Sequence, residues 1–395
     1  MANLGKKWGA VIACWVTALV FVIAGICMGI VIPSFAADPN DGDLAVMFDA
    51  NGDGKIDEED ENEYHIYHTM QAAVKAVNAL GTTADNEATI KLLSNVGNIE
   101  SDGVDTEKAY FTIDLNGFVW CMGGQLSING GRVTITDTCE EEVVHYLTAK
   151  LIDGFDVPVD VHTYEWTDEP EEDGNYTPVK GGIVLGSTDM WTLALTGGNQ
   201  RTGHDTWEDY GDAELVLDKG TFIGELSGIW MAEQTSLTIN DGVNLQFYTP
   251  TEFMGGAEYG LPKARIAIVD MAGDATIYIN GGNIYGEIMY ADVSAEAYHI
   301  FNLATDKADR IKIAEGIKMK KVLDKEGNFL YYAAVDADSV DETPNTTPND
   351  PIAESEADDN NNMIALIVLG AAAAVMVVGV AVIIMVNAKR RKKVA

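Results

Sequence analysis

A six-residue phrase that recurs through the middle of the chain constrains the fold more than any other feature of the sequence. Each copy has two apolar residues with one residue between them, followed by Asn, Asp or Thr and then a glycine. The copies begin at residues 126, 193, 215, 237 and 277, so successive starts lie 67, 22, 22 and 40 residues apart. These separations are close to multiples of about 22 residues, and a fixed period of that size is typical of repeat architectures.

Each copy of the phrase predicts a short strand with one buried side, because residues at every second position of a strand point the same way. Stacking such strands in parallel buries that side continuously and lets neighbouring turns of the chain satisfy the backbone hydrogen bonds. The sequence therefore predicts a mainly β protein with a parallel β-helix over residues 88–335. A β-sandwich is the alternative, since it also alternates strands and turns, but it does not predict the phrase repeat.

The strand phrases also resemble those of a known family. The resemblance is carried by three segments: Ala88-Thr-Ile-Lys-Leu-Leu, Phe111-Thr-Ile-Asp-Leu-Asn-Gly117, and Leu126-Ser-Ile-Asn-Gly-Gly-Arg-Val-Thr-Ile-Thr-Asp137. They are similar to right-handed, pectate-lyase-like β-helix surface proteins of Gram-positive bacteria, over roughly residues 88–320. The resemblance implies a right-handed parallel β-helix and, through the carbohydrate-cleaving members of the family, a polysaccharide as ligand.

An apolar run near the N-terminus predicts that the protein is exported. Residues 8–32 follow two lysines and precede small residues at Ser34 and Ala36, which is the pattern of a secretory signal. We therefore expect residues 1–36 to be a signal peptide. An uncleaved signal anchor is the alternative, because the apolar run is longer than the usual signal core.

A second apolar run predicts a membrane anchor near the C-terminus. Residues 363–386 contain no charged residue and are long enough for one membrane-spanning helix. The basic tail at 387–395 is of the kind that stays on the cytoplasmic side. Residues 336–362 are acidic and rich in Pro and Thr, and they predict a disordered stalk. The sequence thus predicts a single-pass cell-membrane protein with an extracellular ectodomain.

The charge of the chain excludes nucleic acid as a partner. The sequence has 62 acidic and 25 basic residues, for a net charge of −37. Seven of the basic residues flank the two terminal apolar runs, so the remaining 18 face all 62 acidic residues and leave −44 between the runs. Phosphate binding needs a basic stripe, which this composition does not offer.

The most specific local motif is a twelve-residue acidic loop at 49–60. Oxygen ligands at alternate positions of such a loop wrap one Ca²⁺. Here they would come from Asp49, Asn51, Asp53, Lys55 (through its carbonyl oxygen), Asp57 and Asp60. The loop resembles the EF-hand and its bacterial dockerin variant, although position 12 is Asp and no second copy is present. We expect a structural calcium ion, with sensing or docking as the alternative.

An amphipathic helix is expected to follow the calcium loop. Apolar residues recur at three-and-four spacing over residues 64–80, and Gly81 stands where the helix should stop. Together with the loop, this pattern predicts a small α-helical, EF-hand-like region at 37–82. At the other end of the repeats, residues 321–332 predict a hairpin that caps the β-helix.

Aromatic residues that recur at a similar distance from each repeat start are the candidate ligand-binding residues. If the coils stack, these side chains lie near one side and can stack on sugar rings, or they simply fill the interior. The recurring residues are Trp207, Trp230, Phe253 and Tyr290, and their neighbour Tyr210 is a further candidate. The segment 138–188 interrupts the repeat, and it predicts a loop on one face, either a binding loop or a solvated acidic one.

Two cysteines remain in the exported part of the chain. Cys121 and Cys139 lie 18 residues apart, which is nearly one coil, so a disulfide between adjacent coils is feasible. Two free buried thiols are the alternative.

These patterns predict a calcium-binding surface protein that acts as a non-catalytic recognition or adhesion module, with polysaccharide or another surface as its ligand. One alternative is a polysaccharide-degrading enzyme of the same fold, which requires carboxylates from different coils in one groove with a basic residue beside them. Another alternative is a purely structural surface protein, which predicts no aromatic-lined groove.

Overall fold

The computed structural model describes residues 44–49, 65–97, 103–152, 159–170, 174–187, 190–201, 207–256, 259–271, 275–292 and 297–339. The predicted signal peptide, membrane segment and basic tail lie outside these residues, as does the stalk after residue 339. Among the described helices, none has the length and apolar character needed to cross a membrane. The described chain is mainly β, and most of its strand pairs are parallel.

The first part of the described chain contains fourteen strands and one α-helix. In chain order they are β1 (Leu44–Met47), β2 (His65–Tyr67), α1 (Met70–Leu80), β3 (Ala88–Leu92), β4 (Val96–Gly97), β5 (Val104–Thr106), β6 (Ala109–Asp114), β7 (Val119–Cys121), β8 (Leu126–Ile128), β9 (Gly131–Thr136), β10 (Val144–Leu151), β11 (His162–Thr167), β12 (Thr177–Lys180), β13 (Ile183–Leu185) and β14 (Met190–Leu195).

The second part continues with strands and one short 3₁₀ turn. In chain order they are β15 (Asn199–Arg201), β16 (Trp207–Asp209), β17 (Ala213–Glu225), β18 (Ser227–Met231), β19 (Thr235–Pro250), the 3₁₀ turn (Thr251–Met254), β20 (Arg265–Asp270), β21 (Thr276–Ile279), β22 (Asn283–Ile284), β23 (Glu287–Asp292), β24 (Ala297–Phe301), β25 (Ile311–Ile313), β26 (Ile317–Leu323) and β27 (Phe329–Asp336).

Three stacks of parallel strands run through the structure, and each coil of the chain adds one strand to each stack. Face 1 contains β3, β6, β9, the first part of β17, the first part of β19, β21 and β25. Face 2 contains β4, β7, β13, the later parts of β17 and β19, and β22. Face 3 contains β5, β8, β14, β18, β20 and β23. This topology is compatible with a β-helix-like fold.

The repeated phrases occupy equivalent positions in these stacks. On face 1, Leu215 pairs with Leu237, which pairs with Ile277, and all three are buried. The two earlier copies pair with each other on face 3, at Leu126 and Leu193. The step of 22 residues from the second copy to the third therefore leads from face 3 to face 1, whereas the next step of 22 is one full coil.

The polar residue that follows each strand phrase on face 1 also has a structural role. Asn240 donates from Nδ2 to Oδ1 of Asp218 at 2.8 Å, and Asn280 donates to Oδ1 of Asn240 at 3.0 Å. Thr136 donates its hydroxyl to the other oxygen of Asp218 at 2.8 Å. The turn residues of successive coils thus form a hydrogen-bonded ladder, which explains the preference for Asn and Asp at this position.

Helix α1 is shorter than the sequence predicts. It begins at Met70, with Thr69 as its N-cap, and ends as expected at Gly81, whose φ of 69° suits glycine. The preceding residues form β2 instead, because β2 pairs antiparallel with β1, with Leu44 opposite Tyr67. The buried side of α1 packs against the core cluster that the coils enclose.

The predicted C-terminal hairpin is confirmed. Strands β26 and β27 pair antiparallel, and β27 also pairs antiparallel with β22, the last strand of the face 2 stack. Tyr332 is fully buried in the core cluster and donates its hydroxyl to Glu287. The parallel pairing of the face 2 stack therefore ends in an antiparallel strand.

Within the segment 138–188, strands β10, β11 and β12 form a three-stranded antiparallel sheet, with strand order β11-β10-β12, on the outer side of face 2, and β13 returns to the face 2 stack. Leu147 from this sheet packs with Val119 and Ile183 of face 2. His145 is buried and bonds through Nδ1 to Asp168 at 2.6 Å and through Nε2 to the carbonyl oxygen of Gly117 at 2.7 Å. The interruption is therefore an ordered cover for face 2 over its described residues.

Candidate ligand groove

A groove of about 550 Å³ lies on the outer side of face 1. Its volume is in the range of pockets that bind small ligands. The lining residues come from five consecutive strands of the stack and from three adjoining loops: Ala84, Tyr110, Gly131, Arg132, Asp212, Glu214, Ser236, Thr238, Tyr278 and Asn280. Most of these side chains are polar, and two are aromatic.

The parallel register explains why these side chains meet. Tyr110 pairs with Arg132, which pairs with Glu214, which pairs with Ser236, so the four form one outward column across four coils. Tyr278 belongs to the neighbouring outward column, one coil beyond Ser236. Four strand spacings separate the coils of Tyr110 and Tyr278, a length of about 19 Å. The groove is therefore elongated across the strands.

Gly131 gives the groove its floor at the start of β9. Its φ is 73°, a left-handed conformation that favours glycine. A Cβ at this position would lie 2.2 Å from the carbonyl oxygen of Ala109 on the neighbouring coil. Its own N–H donates to the carbonyl oxygen of Asp212 at 2.9 Å. A side chain at residue 131 would therefore displace the backbone at this point.

Arg132 is the cation at the centre of the groove. Its Nε donates to Oε1 of Glu87 at 2.9 Å, and a second contact joins its Nη2 to the same oxygen. Its Nη1 lies 3.7 Å from Oε2 of Glu214, and its Nη2 lies 3.5 Å from the carbonyl oxygen of Ala84. The hydrogen bond to Glu87 raises the pKa of Arg132 above its ordinary value. The guanidinium is thus held between two carboxylates.

The two tyrosines lie toward opposite ends of the groove. Tyr278 is 37% exposed, and the ammonium of Lys312 lies 4.8 Å from the centre of its ring. Tyr110 is half-buried, and its backbone N–H donates to the hydroxyl of Thr82 at 2.8 Å. Aromatic rings offer flat apolar surfaces, and the polar side chains between them offer hydrogen-bond donors and acceptors. This combination suits an elongated ligand rich in hydroxyl groups.

A second polar cluster lies between the face 2 cover and the coils. Glu225 is buried and accepts from the backbone N–H of His162 at 2.8 Å and from the hydroxyl of Tyr164 at 3.1 Å. Tyr248 also bonds to Glu225, and the Arg265 guanidinium lies 5.4 Å from the Tyr248 ring. Burial, and then Glu225, raises the pKa of both tyrosines. Because His162 and Tyr164 belong to the cover and Tyr248 belongs to the coils, Glu225 joins the cover to the coils.

The predicted calcium site lies almost entirely outside the described residues. Only Asp49 of the six predicted ligands is described, and its carbonyl oxygen accepts from Nδ2 of Asn86 at 2.8 Å. The described flanks of the loop are the paired strands β1 and β2, whereas an EF-hand loop joins two helices. Of the predicted EF-hand-like helical region at 37–82, the structure therefore describes one helix, α1, and a strand on each side of the predicted loop. Within the described ranges, no group of three or more His, Cys, Asp or Glu residues is placed to hold a metal ion.

The structure does not bring the five predicted aromatic residues into one row. Trp207 lies in β16, and Tyr210 follows that strand, with the Lys108 ammonium 5.4 Å from its ring centre. Phe253 lies in the 3₁₀ turn after β19. Neither Tyr210 nor Phe253 is among the residues that line the face 1 groove.

The remaining two aromatic candidates lie on different sides of face 3. Trp230 packs in an outer apolar cluster that also contains Trp191 and Tyr298. Tyr290 packs against the core cluster, with the Arg310 guanidinium 4.4 Å from its ring centre. Trp230 pairs with Val269, which pairs with Met289. Tyr290 therefore lies one position beyond the residue that is equivalent to Trp230. Neighbouring positions of a strand point to opposite sides, which separates the two rings.

Cys121 and Cys139 are free cysteines in the structure. Burial raises the pKa of the Cys121 thiol to about 12, and this side chain packs with Trp166 of the face 2 cover. The Cys139 thiol instead lies 3.6 Å from the carbonyl oxygen of Glu141. The two thiols therefore have separate surroundings.

Sequence reasoning did not identify the groove residues. Several of them could have been found from their place in the repeat, because they directly precede buried residues of face 1. Tyr110, Arg132 and Glu214 directly precede the buried Phe111, Val133 and Leu215, which pair with one another. Alignment of the coils on these inward residues would have placed the groove residues in one column.

Comparison with known proteins gives no further guide to this groove. No family model, no characterised protein and no solved structure matches the chain.

Proposed function

We propose that this chain is a membrane-anchored surface protein whose right-handed parallel β-helix recognises polysaccharide without cleaving it. The observation that carries the proposal is the elongated groove on face 1, with Tyr110 and Tyr278 toward its ends and polar side chains between them. A purely structural surface protein predicts no aromatic-lined groove. The groove replaces the predicted row of aromatic residues as the ligand site.

The chemistry of the groove supports a carbohydrate ligand. Sugar rings present C–H faces that pack on aromatic rings, and hydroxyl groups that need both donors and acceptors. Arg132 and Asn280 supply N–H donors, while Glu214 and Asp212 supply carboxylate oxygens. The hydroxyls of Ser236 and Thr238 can act in either role. The extent of the groove over several coils suits a chain of sugars better than a single sugar.

Polysaccharide cleavage is the second candidate, and one observation favours it. Asp212 and Glu214 line the same groove as Arg132, which is the arrangement of carboxylates beside a basic residue that such an enzyme requires. Such an enzyme also needs that basic residue to be free to act on the substrate. Arg132 is instead already paired with Glu87 and Glu214. Recognition without cleavage therefore remains the leading proposal.

The test is retention of the full-length chain, purified in detergent with calcium, on beads that carry different polysaccharides. We expect retention on at least one polysaccharide, and we expect Tyr278→Ala to abolish it. Tyr259→Ala is the matched control, because Tyr259 is also an exposed tyrosine but lies outside the groove lining. Reducing sugar released into the supernatant would favour the enzyme, and absence of retention on every bead would contradict the proposal.

We further propose that the loop at 49–60 binds one structural Ca²⁺. A ligand that binds only the folded state stabilises it by about 2.7 kcal/mol at a hundredfold excess over Kd. We expect calcium to raise the melting temperature of the wild-type chain and to have no effect on Asp53→Ala. Asp85→Ala, an exposed aspartate outside the loop, is the matched control. An equal response of the wild type and Asp53→Ala would contradict a calcium site in this loop.

A further inference from the structure

We propose that the face 1 groove selects uncharged polysaccharides and rejects polyuronates. This inference rests on the proposed function and names the ligand class for the same groove. Three features of the structure carry it: the pairing of Arg132, the carboxylates that surround it, and the uncharged character of the remaining lining.

The first feature is that Arg132 is already paired. Its Nε and Nη2 bond to Glu87, and its Nη2 also lies 3.5 Å from the carbonyl oxygen of Ala84. A uronate carboxylate forms a bidentate ion pair with an arginine only when one edge of the guanidinium is free. Here that edge is held by Glu87, so a bound uronate would have to displace a carboxylate of the protein.

The second feature is the sign of the charge around Arg132. Glu87 and Glu214 both form ion pairs with it, and Asp212 lines the same groove. Two carboxylates are therefore paired with the guanidinium, and a third lines the same groove. The whole chain adds to this negative field, with a net charge of −37. A polyanion approaching the groove meets repulsion both at long range and at contact.

The third feature is that the rest of the lining suits hydroxyl groups. Ser236, Thr238 and Asn280 are uncharged donors and acceptors, and the two tyrosines offer ring faces. The carboxylates of Asp212 and Glu214 can accept hydrogen bonds from sugar hydroxyls. These groups provide no positive charge for a uronate carboxylate, whereas each can contact a neutral sugar.

Lys312 is a cation beside the groove that opposes this selection. Its ammonium lies 4.8 Å from the Tyr278 ring centre and 3.4 Å from the Tyr278 hydroxyl, at one end of the groove. The lysine contacts one tyrosine and is not among the lining residues. It can meet a single uronate unit, but it faces only the end of a ligand that spans the groove. Lys312→Gln therefore separates its contribution from that of the groove.

The experiment measures retention of the full-length chain on beads that carry mannan, xylan, β-glucan or polygalacturonate, at low and high salt. We expect retention on at least one neutral polysaccharide at both salt concentrations, and less than about a tenth of that retention on polygalacturonate. Glu214→Lys is expected to raise retention on polygalacturonate about tenfold at low salt. Glu165→Lys makes the same charge change on the face 2 cover and is expected to leave retention unchanged.

The possible failures are distinguishable. Retention on polygalacturonate equal to or above that on every neutral polysaccharide would overturn the selection for uncharged ligands and leave polysaccharide recognition intact. An unchanged preference in Glu214→Lys, with an unchanged melting temperature, would also overturn the assignment of that preference to groove charge. If Lys312→Gln alone alters the preference, the groove does not determine it. Absence of retention on every bead would overturn the proposed function together with this inference.

Discussion

The outer sides of face 1 and face 2 belong to the same coils, but the chain uses them differently. On face 2 the outward residues Val119, Ile183 and Ile223 are apolar and buried beneath the three-stranded cover. On face 1 the equivalent outward positions carry residues such as Arg132 and Glu214, which line a groove. The difference indicates that the inward pattern builds the fold, whereas the outward pattern determines what each face contacts.

Face 3 shows that covering by the chain itself is the more common outcome. Its outward residues Ile266, Val269 and Met289 form a buried cluster with side chains from the 3₁₀ turn, the following loop and β24. Two of the three faces thus bury apolar outward residues, and face 1 presents mainly polar ones to the groove. Variants on covered faces should therefore lower stability, and variants in the groove should lower binding.

The largest loss of stability is expected on truncation of an inward residue of β6, and its outward neighbour provides the comparison. Phe111 is fully buried in the core, so Phe111→Ala should lower the free energy of unfolding by about 3–5 kcal/mol. Its neighbour Tyr110 faces the groove, and Tyr110→Ala should cost about 1 kcal/mol or less while abolishing polysaccharide retention. Urea denaturation and bead retention measure the two effects. Equal stability losses in both variants would contradict the inward and outward assignment.

The next effect tests the cover of face 2. Leu147 is fully buried between the cover and the coils, so Leu147→Ala should lower stability by about 2–4 kcal/mol. The loss should be local, because the core cluster is separate from the cluster that contains Leu147. We expect faster proteolysis within residues 144–180 and unchanged retention on polysaccharide. Loss of retention at an unchanged cleavage rate would show that the cover belongs to the ligand site.

Some elements of the fold could be predicted from the sequence, and others could not. The strands of face 1 and the hairpin at residues 321–332 follow from local alternation and turn residues, and both are present. The sequence predicts a helix α1 that begins six residues before the observed one, because the pairing of β1 with β2 joins residues distant in the sequence. Local patterns do not reveal such a partner.

The groove could not be predicted because a ligand site depends on register between coils. Arg132 and Glu214 are 82 residues apart in the sequence, and the three-stranded cover is inserted between them. The aromatic candidates failed to form a row for a related reason. Distance from a repeat start places Trp230 and Tyr290 at similar positions. In the structure Tyr290 lies one position beyond the equivalent of Trp230, and a shift of one position moves a side chain to the other side of the strand.

A third, smaller effect is expected at the junction of the cover with the coils. Glu225 accepts hydrogen bonds from His162 and Tyr164, so Glu225→Gln should lower stability by about 1–3 kcal/mol. Glutamine keeps the shape but places an N–H₂ group where an acceptor is needed. Glu165→Gln, on the exposed side of the same sheet, should change stability by less than about 0.5 kcal/mol. Equal losses of stability in the two variants would contradict the role of Glu225 in joining the cover to the coils.

The same junction predicts how stability responds to alkaline pH. Burial raises the pKa of Tyr164 and Tyr248 in the folded state, so the unfolded chain releases their phenolic protons at lower pH. Their contribution is fully present below about pH 10 and is lost as the pH rises above it. Urea denaturation from pH 8 to pH 11 should show this fall, and Tyr164→Phe should make it shallower. An identical fall in Tyr164→Phe would assign it to other tyrosines.

The smallest change in stability is expected at the centre of the groove. Arg132 is 32% exposed and its ion pair with Glu87 lies at the surface, where solvent screens the attraction. Arg132→Gln should therefore lower stability by less than about 1 kcal/mol, and less at high salt. Lys150→Gln removes a comparable ion pair from the face 2 cover and should have a similarly small effect. Retention on neutral polysaccharide separates the two variants, because only Arg132 lines the groove. A stability loss above about 2 kcal/mol in Arg132→Gln would instead make face 1 a surface kept for folding, as face 2 is.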